Sequence, residues 1–520
     1  MLKPVVLDNI VCDPPRVRLA AWSGRPYDLA LATARTCYSK TLVGLADVQE
    51  RHRAEIGPSI YKAGHHTPFQ HGHLTFTLEN VSRQFVWSFL HSHPFYNSEQ
   101  QSQRYNEVSE IRATVPPLEK PGARRVFEQA LVEAWTAYQE LSELLFESTF
   151  RKMRPIGRIK GQDDKKIRLE ANRKAIEMAR YVLPLAAHTV LYHTVSALEL
   201  HRYWRLAGSG DTPWENRQVV GQMKALVEEQ DPDFFSRIPL EPLDGEKLPE
   251  TQAPVSDGDA FAAEFDSGFG EGTFSLLAGH VQGAEELVAQ AAREVLGLRR
   301  GQMDDAEALE RLLNPARNPL LLDTLNAWHH SPLMRALNHA TYTFRKRLSH
   351  TADSQDQRHR ATPGSRPLLS RVHTRRPDVV TPELIRDDPR ALELFQRACQ
   401  KAWDAKNRLV DMGEGAGSAV YLLPNAVRIR FTESGSLLGL LHKLRMRTCF
   451  LAQQEIYEAS MQELGALAGV HPGLARFIGP PCLFRKGLVE DDGRRGPCPE
   501  GDHWCGVPVW LNFPKVRRIF

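Results

Sequence analysis

Two short polar stretches hold the residues best suited to chemistry. The first is Gln355-Asp356-Gln357-Arg358-His359-Arg360. On a helix, residues three apart share a face, so Gln355 and Arg358 are expected to point the same way. The Arg358 guanidinium offers a planar fork of donors for a phosphate or a pyrimidine carbonyl. His359 can stack on a flat ring or hydrogen-bond to it. The second stretch is Ser98-Glu99-Gln100-Gln101-Ser102-Gln103-Arg104-Tyr105. Small polar residues with one arginine suit a loop whose backbone amides, Ser102 hydroxyl and Arg104 gather a phosphate. Taken alone, either stretch reads as solvated surface. Their place in an internal repeat raises both above that reading.

The repeat is one of order. The first half runs from an Ala-Arg helix at Asp28 through Gly64-His65-His66-Thr67-Pro68-Phe69 to Glu177-Met178-Ala179-Arg180-Tyr181-Val182-Leu183-Pro184. The second runs from a similar helix at Ala284 through His329-His330-Ser331-Pro332 to the Leu-Pro segment within Ala419 to Phe431. Leu74 to Leu78 alternates as a strand does, and Ala340 to Phe344 matches it. Segments 125–150, 170–183, 188–206, 284–297, 389–410 and 436–466 are expected to be helical by apolar period. The fold class expected is α+β: two tandem diverged copies, 1–240 and 273–520, each helix-rich with a small antiparallel sheet. Residues 241–272 are acidic and rich in Pro and Gly, and read as a linker, exposed and protease-sensitive.

Composition limits the function classes. The chain has 520 residues, too many for one ordinary domain. A net charge of +3 is too mild for a nucleic-acid coat. No apolar run reaches the length of a membrane helix, and the N-terminus has no signal-peptide core, so a cytoplasmic protein is expected. Seven cysteines do not make a disulfide framework. Cys37 and Cys449 read as core thiols. Cys482, Cys498, Cys505 and His503 fall in the C-terminal tail. Without a Cys-x-x-Cys pair, a loop-rich cap packed by Trp504 and Trp510 is preferred there to a zinc site. His91-Ser92-His93 lacks a third ligand, so no metal is expected.

In this order the motifs resemble the flavin-dependent thymidylate synthases. The resemblance implies FAD as cofactor, with NADPH and methylene-tetrahydrofolate as co-substrates, and methylation of dUMP. It also implies sites shared between subunits of a homotetramer, so a two-copy chain is expected to form a homodimer. Transferred residue by residue, it makes Arg358 and Arg447 catalytic at the pyrimidine. It gives dUMP to Gln355, Arg358, Ser102, Gln103, Arg104 and Arg180. It gives the flavin to His65, Thr67, Gln100, His359, Arg360 and His442. Alternatives are another flavin-dependent C5 modification of a pyrimidine nucleotide, or a non-catalytic nucleotide-binding paralogue.

The copies depart from the family in complementary ways. The first lacks the Arg-His-Arg triad, with His91-Ser92-His93 nearby, and has Ala207 near the place of Arg447. The second has Val420 in place of Arg180, and Gly364-Ser365-Arg366-Pro367 in place of the Ser-x-Arg-Tyr loop. Each copy keeps the half that the other has lost. One composite site per chain is therefore expected.

Overall fold

The computed structural model describes residues 6–238, 240–254, 257–490, 493 and 495–518. The first copy is built on strands β1 (Arg16–Trp22), β2 (His73–Ser82), β3 (Tyr96–Gln100) and β4 (His188–Ser196). They pair antiparallel in the order β1-β2-β4-β3. Its helices are α1 (Arg83–His91), α2 (Ala123–Ile159), α3 (Asp164–Ala179), α4 (Ala197–Arg205) and α5 (Pro213–Gln230). Further helices cover Pro26–Thr36 and Glu50–Lys62. A connecting helix α6 (Gly258–Phe265) leads to the second copy. That copy has strands β5 (Ser275–His280), β6 (Thr341–Ser349), β7 (Gly364–Ser365) and β8 (Arg428–Ser436). Their order, β5-β6-β8-β7, repeats the first sheet. Helices α7 (His350–Asp356), α8 (Pro389–Asp411), α9 (Leu437–Arg447) and α10 (Gln454–Val470) follow the same plan.

Sequence expectations about Cys37, two helices and one loop need correction. Cys37, read as a core thiol, is exposed. Residues 188–206 are not one helix: 188–196 form β4, where Thr189, Leu191, His193 and Val195 are buried and their neighbours are not. A period of two with β-branched residues overrode helix length there. The span 436–466 breaks at Thr448-Cys449-Phe450, three consecutive weak helix formers. Strand register places Ser365 beside Thr432, as Glu99 lies beside Tyr192. The counterpart of Ser102–Tyr105 is therefore Leu368–Arg371, not Gly364–Pro367.

The copies meet about a pseudo-twofold axis through their Leu-Pro segments. Leu185 N–H donates to Leu423 O and Asn425 N–H to Leu183 O, both at 2.8 Å. Ala186 N–H donates to Tyr421 O and Ala426 N–H to Tyr181 O. Each tyrosine then crosses to the other copy. Tyr181 donates to Glu455 (2.7 Å) and Tyr421 to Glu215 (2.8 Å). Glu215 also accepts from the Ser82 amide and hydroxyl that cap α1, and Glu455 from those of Ser349 that cap α7. These are isologous contacts, as between subunits of a symmetric dimer. One core, with Trp135 and Tyr138 of α2 and Phe395 of α8, spans both copies. No helix among the described residues is long and apolar enough to cross a membrane.

The described residues of 241–272 start on the first copy, where Leu243 N–H donates to Arg205 O, and go on along the surface of the second. Arg371 donates to Ala253 O, and Asp266 pairs with Arg430 and Arg347. The α6 backbone lies so close to residue 373 that a Cβ on Gly258 would stand 2.2 Å from His373 O. Only glycine fits there.

Candidate active site at the junction of the copies

The loop after β3 carries the first half of the site. The Ser102 carbonyl accepts from the Tyr105 and Asn106 amides, and its hydroxyl accepts from the Arg104 amide (3.2 Å). Gln103 is buried, and its Oε1 accepts from Asn425 of the second copy (3.3 Å). Arg104 donates through Nε to Glu177 (2.6 Å) and through Nη2 to Leu451 O (3.1 Å), again in the second copy. Burial would raise the Glu177 carboxyl, but Arg104, Lys174 and Arg180 outweigh it and hold it well below the usual carboxylate range.

Arg180 follows α3 and is buried, with Nε and Nη2 unpartnered. Arg83, at the start of α1, donates to Gln100 Oε1 and Gln101 O while its Nε has no partner. Burial, with Arg180 and Arg358 nearby, lowers Arg83 to about 9, so it remains a cation at neutral pH. Unpaired buried cations are costly, and such a cluster calls for an anion.

The second copy supplies the other half. Arg447, at the end of α9, donates to His359 Nε2 (2.9 Å) and to Gln355 O (3.0 Å). Burial lowers Arg447 to about 10, and Arg104 and Arg358 add to the shift. Burial and Arg447 hold His359 neutral, well below its ordinary value. The Gln355 side chain donates to Gln453, which donates to the Tyr181 hydroxyl of the first copy. Arg358 reaches back to Glu99 of β3 (3.7 Å), and Arg360 stands over the Tyr96 ring (5.5 Å). The triad thus docks on the edge strand of the first sheet. The helix-face expectation for Gln355 and Arg358 fails, because α7 ends at Asp356 and Arg358 lies beyond it. Asp356 is drawn inward by Lys346 and Lys443. His442 has its ring 5.7 Å from His359 and its Nδ1 buried without a partner.

A cavity of about 700 Å³ opens at this junction. Arg104, Lys174 and Glu177 line it from one copy, Arg447 and Leu451 from the other, and Arg518 from the C-terminus. A second cavity, about 380 Å³, lies beside Arg83, Ser102, Gln103 and His188. His65 and Thr67 are exposed just before β2, at the end of that strand remote from Arg83. A ten-residue strand spans about 30 Å, so they do not join the arginines within one chain. Sequence reasoning missed Arg83, Lys174, Gln453 and Arg518. Arg83 could have been found as the residue directly after the strand.

The family model described as "Thymidylate synthase complementing protein" matches residues 18–233 and again 276–473. The chain belongs to this family. The two segments are the two copies seen in the fold, so this is a tandem member. The curated relatives include a flavin-dependent thymidylate synthase of Clostridium tetani, 28% identical over 42% of this chain and 85% of its own length. Another, from Geobacter sulfurreducens, is 32% identical over 35% of this chain and 74% of its own. Among solved structures, a UMP/dUMP methylase from Streptomyces cacaoi bound with 5-Br UMP is 22% identical, at a TM-score of 0.31. It covers 44% of this chain and 96% of that one.

Proposed function

We propose that the chain is a flavin-dependent thymidylate synthase that methylates dUMP, with FAD as cofactor and methylene-tetrahydrofolate and NADPH as co-substrates. The observation that carries this reading is Arg180. It is a buried guanidinium with two unpartnered nitrogens, with Glu177 and Arg104 beside it and Glu455 of the second copy near it.

Ser102, Gln103, Arg104 and Arg180 hold the nucleotide phosphate by charge-assisted hydrogen bonds. Gln355, Arg358 and Arg447 face the pyrimidine. Negative charge gathers on its carbonyl oxygen or N3 as C5 becomes nucleophilic, and fixed cations stabilise it. Neutral His359 accepts from Arg447 and so fixes the direction of that guanidinium. The unpartnered His442 Nδ1 and the arginine-rich surroundings suit a flavin with its diphosphate, held by His359, Arg360, His442 and Gln100. When bound, the flavin supplies the hydride chemistry. His65 and Thr67 belong to the same group of residues only if a second chain brings them, which fits a homodimer standing in for the family's four subunits. The setting is cytoplasmic, with no nucleic acid or membrane as partner.

Tritium release from C5-labelled dUMP tests the reading. It is expected only with FAD, folate and NADPH all present. Absence of release from yellow, flavin-loaded protein would overturn it.

A further inference from the structure

Residues 474–520 lie beyond the family match. Their described part, 474–490, 493 and 495–518, forms a cap with little regular structure: short turns at Pro481–Arg485, Gly501–His503 and Val509–Leu511. None of the seven cysteines is in a disulfide. Yet Cys482, Cys498 and Cys505 of the cap surround one small cavity, and Cys449, from the loop after α9, completes the ring. Cys482 stands near enough to feel the charge of the other three, and Cys449 that of Cys498 and Cys505. Pro480, Pro481, Phe450, Val509 and Trp510 close the cavity with apolar surface.

We propose that Cys449, Cys482, Cys498 and Cys505 form a tetrathiolate site for a single Zn²⁺ ion, which pins the C-terminal cap to the loop after Arg447. Four sulfurs at about 2.3 Å satisfy tetrahedral zinc with no open position, as in a structural site. The cavity between them is small, about 10 Å³. Among the described residues no three His, Cys, Asp or Glu already stand in a metal-holding array. Binding therefore requires the thiols to turn inward, each releasing its proton to solvent as it ligates. The sequence spacing hid the site, because its fourth ligand, Cys449, lies in the body of the second copy. The anchored loop also carries Leu451, whose carbonyl accepts from Arg104.

The test is metal analysis of the full chain, purified without chelator and dialysed exhaustively. One zinc per chain is expected, with no acid-labile sulfide. Zinc should fall several-fold in Cys498→Ser and in Cys505→Ser, and stay unchanged in Cys399→Ser. If the serine variants fail to fold, cobalt-substituted wild-type chain decides. It should show the visible bands of a tetrahedral ion with sulfur charge transfer. Zinc well below one per chain would overturn the proposal. So would iron with sulfide, or a cobalt spectrum without sulfur bands.

Discussion

The pseudo-twofold axis gives the molecule two related faces, and they have opposite characters. On one, Arg83, Arg104 and Arg180 of the first copy face Arg358 and Arg447 of the second, with Arg104 and Arg447 lining a cavity of about 700 Å³ and Arg83 one of about 380 Å³. On the other, the equivalent positions are His350, Ser370, Val420, His91 and Ala207. There Trp87 is buried against the His350 ring (5.1 Å), and its indole N–H donates to Asp353 (2.8 Å). Asp353 takes a two-pronged pair from Arg366, and Asp211 accepts from Ser370. About 20 Å³ remains, partly closed by Phe261 of α6. The second face has thus been filled as a core, as the proposal of one composite site per chain requires.

The interiors beneath the faces differ as sharply. In the second copy, Lys346, Asp356, Glu433, Lys443 and Glu463 are all buried and form one ion cluster. The first copy has Leu78, Phe89, His193, Tyr203 and Met223 at those positions, with Tyr203 hydrogen-bonded to His93 and His193. The cluster holds Asp356 and so sets where the triad emerges. The aromatic version positions no triad.

Arg447→Ala is expected to abolish tritium release while most FAD stays bound, whereas Ala207→Arg on the filled face creates no second activity. Turnover of Arg447→Ala within a few-fold of wild type would remove that residue from the site. Co-expressed Arg104→Ala and Arg358→Ala chains should not complement, since both sets meet within one chain. Recovered activity in the mixed dimers would show that sites form across chains. Lys443→Ala strands buried carboxylates and is expected to cost about 3–5 kcal/mol in denaturant unfolding. Replacing the whole cluster with its first-copy counterparts should cost far less.

A fourth prediction concerns pH. Burial raises Glu215 to about 7, against the hydrogen bonds of Ser82 and Tyr421. Its folded value exceeds its unfolded one, so its contribution is fully present below the usual carboxylate range. It is lost as pH rises through 7, at about 3 kcal/mol overall. The melting temperature of wild type should therefore fall more steeply than that of Glu215→Gln between about pH 5 and pH 8; parallel curves would refute this. The smallest effect is expected from Glu99→Gln. It removes an exposed pair with Arg358 and should change unfolding free energy by less than about 1 kcal/mol.

The sequence by itself determined the two copies, their Leu-Pro segments and the complementary loss of arginines, because order and residue type survive divergence. It also marked Ser102–Arg104 and Gln355–Arg360 as places for anion chemistry. It misread 188–206 as a helix, since a strand leading directly into a helix blends two periods. Only tertiary structure decided that both halves meet within one chain, through the paired carbonyls and amides about Pro184 and Pro424. It alone showed that Arg83 is buried beside Arg180. It alone gathered Cys449 with three cysteines of the cap. Such convergence depends on long-range packing, and spacing along the chain carries no trace of it.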